Sequence, residues 1–246
     1  MRRLNFLLPA LAAFLLPGLA LAGPSLHIDL GGAEGGPVEI SSAMKMAVVF
    51  TLVSLAPALV LTSTCFVRFI VVLSVLRNAL GVQSMPPTQV LTGLALFLTV
   101  AVMAPVGEKV YAEGLGPYLE GRMEAGDAFN AAKEPLQSFM LRQTRETDLR
   151  LFYDISQAPQ PTGPQDVKLH LLLPAFVISE LRTAFEMGFM LFLPFLLLDI
   201  ITASVTMAMG MVMVPPALIS LPLKIMLFVV ADGWNLLVGS LVRSVA

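Results

Sequence analysis

The stretch MGFMLFLPFLLLDIITASVTMAMGMVMVPPALISLPL, residues 187–223, decides the fold. It holds 37 residues and a single charge, Asp199. An ordinary membrane-crossing helix needs only about 20 apolar residues, so the run is too long for one span. Gly210 and Pro215-Pro216 supply a break, because proline removes a backbone donor and its ring clashes with the preceding turn. The stretch therefore reads as two helical arms joined at or near residues 209–216.

Working outward, Leu171 to Val242 carries six charges: Glu180, Arg182, Glu186, Asp199, Lys224 and Asp232. Upstream, Met46 to Val67 contains 22 residues without a charge, about 33 Å as a helix. Arg68 and Arg77 follow, then the polar turn Asn78-Ala79-Leu80-Gly81 and Pro86-Pro87. No acidic residue lies between Lys45 and Glu108, so the loop after Val67 is basic and is placed on the cytoplasmic side. Val90 to Val106 returns across. The whole chain is 57% hydrophobic and 13% charged, against roughly 45–50% and 25% in soluble domains. It reads as an all-α membrane protein built of helical hairpins.

Met1 to Ala22 has the form of a cleaved signal peptide: Arg2 and Arg3, the apolar run Leu4 to Leu16, Pro17-Gly18, and the small-residue site Ala20-Leu21-Ala22. Residues 23–44 then form a flexible tail outside the cytoplasm, 45–106 the first apolar hairpin, and 171–246 the second. Between them, residues 107–170 hold ten acidic and seven basic residues and are placed outside the membrane. Lys133 to Ile155 is expected as one helix, with Arg142/Glu146 and Glu146/Arg150 at pairing distance along it. Its charged side is either a solvated face or a subunit contact. Ser156 to Asp166 (SQAPQPTGPQD) is a linker.

Charges inside apolar helices are costly and face a partner or water. Arg182 and Glu186, four apart, can pair. Glu180 lies about 200° around the helix from Arg182, so that pair does not satisfy it. Asp199, Lys224 and Asp232 are isolated along the chain. A proton relay and packing against neighbouring subunits are the two readings. In Met207-Ala208-Met209-Gly210-Met211-Val212-Met213, methionines alternate with small or apolar residues. The pliable thioethers would share one side of an extended loop and could seal around a passing chain; apolar filler at a helix end is the plainer alternative.

The function classes left out are broad. The net charge of −2 argues against nucleic acid as a partner, since phosphate binding needs a clustered basic surface. Cys65 is alone, which removes an internal disulfide, and it reads as a small buried side chain. His27 and His170 lie outside the spans. No phosphate loop, H-E-x-x-H or G-x-S-x-G occurs. No cofactor and no enzyme activity is expected.

The runs FVRFIVVLSVLRNALGVQSMPPTQVLTGLALFLT (66–99), EPLQSFMLRQTRETDLRLF (134–152) and LLPAFVISELRTAFEMGFMLFLPFLLLDIITASVTMAMGMVMVPPALISLPLKIMLFVVADGW (172–234) resemble the FliP/SctR family of type III export-gate proteins. The likeness runs from about residue 45 onward, and the signal peptide is more like the flagellar branch than its virulence-secretion relatives. The resemblance implies a homo-oligomer of about five copies joined to FliR and wrapped by FliQ. Its place is the multi-pass inner membrane at the flagellar basal body, with large parts on the periplasmic side. Other partners implied are FlhA, FlhB, lipid and unfolded flagellar export substrates. It implies a pore gasket on Met209, Met211, Val212 and Met213, with valine where relatives commonly carry a third methionine. It makes Arg68, Glu180, Arg182, Glu186, Asp199 and Lys224 candidates for intersubunit or buried charges. The rivals are the equivalent virulence-system subunit and a small transporter binding solute near Asp199 and Asp232.

Overall fold

The computed structural model of the chain describes residues 37–82, 85–161, 163–211 and 213–245, without the side chains of 37–43, 45 and 52. The expected signal peptide, residues 23–36 of the expected tail, and Val212 lie outside the described residues. Among the described residues there is no strand. The helices are α1 (Pro37–Thr62), α2 (Phe66–Leu80), α3 (Thr88–Val110), α4 (Gly116–Leu119), α5 (Ala125–Gln143), α6 (Glu146–Ile155), α7 (Leu169–Ala208), α8 (Ala217–Val230) and α9 (Gly233–Arg243). By length and composition two of them can cross a membrane, or up to four segments if each bent helix pair counts as one span. The chain is an all-α membrane protein.

The described residues divide into two units, one ending at Phe50 and the other beginning at Thr51. In the first, Pro37 opens α1, a position its fixed φ suits, so the tail read through residue 44 is helical from Pro37. Met46, Val48, Val49 and Phe50 are exposed there.

In the second unit, the uncharged run expected as one helix to Val67 breaks at Ser63–Cys65. The hydroxyls of Thr62, Ser63 and Thr64 donate to the carbonyls of Ala58, Val60 and Leu61. Such back-bonding competes with the helix ladder and bends it. The residues after the break, read from sequence as a loop, form the helix α2, with seven of its 15 residues buried. Phe69, Val72, Leu73, Leu76 and Ala79 are all at most 1% exposed and recur at the spacing of one helix face. Gly81 ends α2 in the left-handed conformation (φ 76°), which glycine adopts at no steric cost.

The return helix also differs from its expected end at Val106. α3 passes into a π-helical turn, Tyr111–Leu115, and on through α4 to Leu119. The charged residues from 108 onward lie on an exposed helix, so they do not terminate it. At Gly114 the turn presses on α5: a Cβ there would stand 2.7 Å from the Ala128 carbonyl and 2.8 Å from the Ala132 Cβ. The single helix expected over Lys133–Ile155 is two helices, because Thr144 and Arg145 are extended. The Arg145 amide donates to Ser179 Oγ on α7 (3.1 Å), and that hydroxyl donates to Asp148 Oδ2 (2.6 Å). The kink thus docks α6 on α7 and separates Arg142 from Glu146, while Arg150–Glu146 persists at 3.6 Å.

α7 is 40 residues long, about 60 Å, twice the hydrocarbon thickness of a bilayer. Its first half is core: Leu172, Ala175, Phe176 and Ala184 are fully buried, packed on α2. Gly188 lets the helices approach, since a Cβ would meet Val75 Cγ1 at 3.1 Å. The second half turns Phe189, Met190, Leu197, Ile200 and Ile201 outward. α8 and α9 meet at 65° around Asp232 (φ 50°), with the Phe228 ring against Gly233 and edge-on to Trp234, centroids 5.4 Å apart.

Candidate functional site

The turn between α7 and α8 carries the methionines. α7 ends because Gly210 takes φ 75°, and the Met211 amide then reaches back to the Thr206 carbonyl at 3.0 Å, the bond of a Schellman cap. Pro215 and Pro216 follow, and their carbonyls accept from Leu218, Ile219 and Ser220 to start α8. On the far side of the connection the Val214 amide donates to the Met211 carbonyl at 3.4 Å. Met207 stands on the last helical turn, Met209 at its cap, Met211 is half-buried, and Met213 is 94% exposed. Val212 lies outside the described residues.

Asp199 and Lys224, isolated along the sequence, meet across this hairpin. Lys224 Nζ donates to Asp199 Oδ2 at 2.5 Å and to the Ala79 carbonyl at 3.1 Å. The second acceptor lies in the last turn of α2, where the helix dipole favours a cation. One ammonium therefore ties α2, α7 and α8 together at the base of the methionine hairpin. Beyond that tie the hairpin's inner side is small and hydroxylic: Thr202, Thr206 and Ser220 are buried, each donating to a carbonyl of its own helix.

A second polar cluster lies in the core. Arg68 Nε donates to Glu180 Oε2 at 2.9 Å, and Nη2 donates to Glu180 Oε1 and, at 2.9 Å, to Gln143 Oε1. Nη1 donates to the Ser244 carbonyl and hydroxyl at 2.6 and 3.1 Å. All five guanidinium donors are thereby used. Gln143 in turn donates to the Val245 carbonyl at 3.0 Å. Near the surface, Glu186 accepts from Arg182 on its own helix at 3.2 Å and from Arg145 at 2.7 Å. The Glu186 carboxylate holds the Arg145 guanidinium above its usual pKa.

The six charges singled out by sequence thus pair within the chain as Arg68–Glu180, Arg182–Glu186 and Asp199–Lys224. Sequence reasoning missed Gln143, Arg145, Asp148, Ser179 and Ser244, whose partners in these networks lie 31 or more residues away along the chain. Asp232 accepts from Asn235 at 3.1 Å where α9 begins. Cys65 is fully buried. An open groove of about 700 Å³ runs between α5 and the Pro164–Asp166 turn, lined by Lys133, Glu134, Gln137 and Arg142 among others. Among the described residues no three His, Cys, Asp or Glu side chains gather as they would around a metal ion.

A family model described as the FliP family matches residues 49–241, a span that contains α2 through α8, the methionine turn and the Arg68–Glu180 and Asp199–Lys224 ion pairs. The chain belongs to the FliP family. Flagellar biosynthetic protein FliP of Caulobacter vibrioides is 48% identical over 237 residues, 96% of this chain and 88% of that protein. The FliP protein of Bacillus subtilis is 47% identical over 212 residues, 86% and 96% of the two chains. That of Aquifex aeolicus is 42% identical over 219 residues, 88% and 90% of the two. The FliP relationship therefore covers the core, the apolar hairpins and the turn between them.

Proposed function

We propose that this chain is a pore-forming subunit of the flagellar type III protein export gate, conducting unfolded flagellar subunits across the inner membrane. About five copies assemble with FliR and FliQ and work with FlhA and FlhB, much of each copy lying on the periplasmic side. The action is that of a conduit and a seal, without catalysis. The observation that carries this reading is the methionine turn itself. It joins the apolar helices α7 and α8, is anchored at its base by Lys224 and Asp199, and leaves Met209 and Met213 exposed on their own chain. Copies arranged about an axis would bring these thioethers, with Met211 and Val212, into one apolar ring. Such side chains exclude water yet repack around an inserted chain.

The test replaces Met211 and Met213 together by glycine in the assembled gate. Ion leakage across sealed vesicles should rise while the complex still purifies with its partners. Leakage equal to the unmodified gate would sink the seal. Deletion should abolish swimming, which separates this reading from the equivalent virulence-system subunit.

A further inference from the structure

The methionine turn has a chemistry that a hydrocarbon ring would lack. Met207, Met209 and Met213 are 66, 68 and 94% exposed, three accessible thioethers within seven residues at a helix end. Met140, by contrast, is fully buried in the core. Met190 and Met226 are also exposed, but each stands singly on an apolar helix face of the kind lipid covers. Susceptibility of methionine to oxidation follows access, and the product is a polar, chiral sulfoxide. A seal made of thioethers facing an aqueous lumen is therefore a seal that peroxide can reach.

We infer that Met209 and Met213 are a peroxide-modified site whose conversion to sulfoxide opens the gate to ions, an inference that rests on the conduit reading above. The thioether sulfur attacks one peroxide oxygen. The O–O bond breaks, the S–O bond forms, and the departing hydroxide takes up the proton released as the sulfoxide forms. Sulfur loses two electrons, and hydrogen peroxide is reduced to water. Each sulfoxide adds a strong acceptor oxygen that water can bind, so the ring that excluded water becomes wettable. Methionine sulfoxide reductases reverse the change, one enzyme for each epimer.

The experiment exposes the purified gate complex, reconstituted in sealed vesicles, to graded hydrogen peroxide. Peptide mass spectrometry reads the sulfoxide at each methionine, and ion leakage is followed in parallel. Met209 and Met213 should oxidise well before Met140, and leakage should climb with their conversion and fall after reductase treatment. The double variant Met209→Leu, Met213→Leu should stay sealed at peroxide levels that open the parent. Met85→Leu, which removes an exposed methionine beside Pro86, should give no protection. Oxidation of the turn no faster than of Met140 would overturn the inference. So would a fully oxidised turn without leakage; if the glycine variants above still leak, the conduit survives and only the oxidation switch falls. If glycine and sulfoxide both leave the vesicles tight, the methionine seal of the proposed function falls with it.

Discussion

Arg68 and Lys224 show how a cation can be kept inside an apolar helix bundle. Arg68 is 2% exposed and meets an acceptor at every donor. Removing one partner of a buried pair strands the other charge, at a cost of about 3–5 kcal/mol. Glu180→Ala should therefore destabilise the chain by about that much, read as a shift of the unfolding midpoint in detergent. The double change Arg68→Met, Glu180→Leu should recover a large part of it. Recovery no better than the single variant would argue against desolvation as the origin of the loss. Lys224→Ala should cost less, because the carboxylate it leaves behind, Asp199, is 38% exposed and can be hydrated. Legibility in the sequence follows geometry here. Arg182–Glu186 is readable because helical spacing of four puts both groups on one face. Arg68–Glu180 is not, since 112 residues separate them and only the packing of α2 on α7 brings them together. Asp199–Lys224 lies between these cases: the residues are 25 apart, one on each side of the break at 209–216. A hairpin folded at that break must place them opposite each other, a signal present in the sequence but overlooked when each charge is weighed alone.

Helix ends were less legible than helix existence, and the reasons are local. The break at Ser63–Cys65 is marked by three consecutive hydroxyl residues, Thr62-Ser63-Thr64, whose back-bonding is a known competitor of the helix ladder; hydropathy averages over it. The kink at Thr144–Arg145 has no such marker. Its cause is tertiary, the docking of the Arg145 amide on Ser179, and the helical spacing of Arg142 and Glu146 points the wrong way. The turn at 209–216 was legible because Gly210, Pro215 and Pro216 act on the backbone directly. Close approaches between helices make their own prediction. At Gly114 a methyl group has nowhere to go, with the Ala128 carbonyl and Ala132 inside 3 Å. Gly114→Ala should separate the π-helical turn from α5 and cost about 1–3 kcal/mol, as overpacking does. Gly93, on α3, has nothing within 4 Å of a would-be Cβ. Gly93→Ala should be stabilising by up to about 1 kcal/mol through helix propensity. Thermal unfolding of the two variants side by side gives opposite signs if packing, and not glycine content, sets the outcome.

The long helix α7 divides the second unit into regimes. Its first half is buried against α2, and its second half presents apolar side chains that the chain does not cover. Lipid or neighbouring subunits must supply that cover, because an exposed surface of this kind does not persist in water. Leu197 is 58% exposed on that half. Leu197→Lys should cost about 2.5–3.5 kcal/mol if the site meets lipid at mid-span, and should lower the fraction of chain recovered in carbonate-washed membranes. Phe185, equally exposed but one residue from Glu186, lies where α7 already carries charge. Phe185→Lys should leave membrane recovery near the parent level. Equal loss at both positions would mean that the boundary does not fall between them.

The reach of Arg68 to Ser244 has a consequence for biosynthesis. The two residues are 176 positions apart, so α2 leaves the ribosome long before two of its acceptors exist. During that interval a cationic fork without its full complement must stay out of hydrocarbon or lean on Glu180 and water. Closure of the bundle then waits for residues 244 and 245, and a nascent chain cut short of them keeps an open core that proteases can find. A chain truncated before Ser244 would leave the Arg68 Nη1 donors without their acceptors.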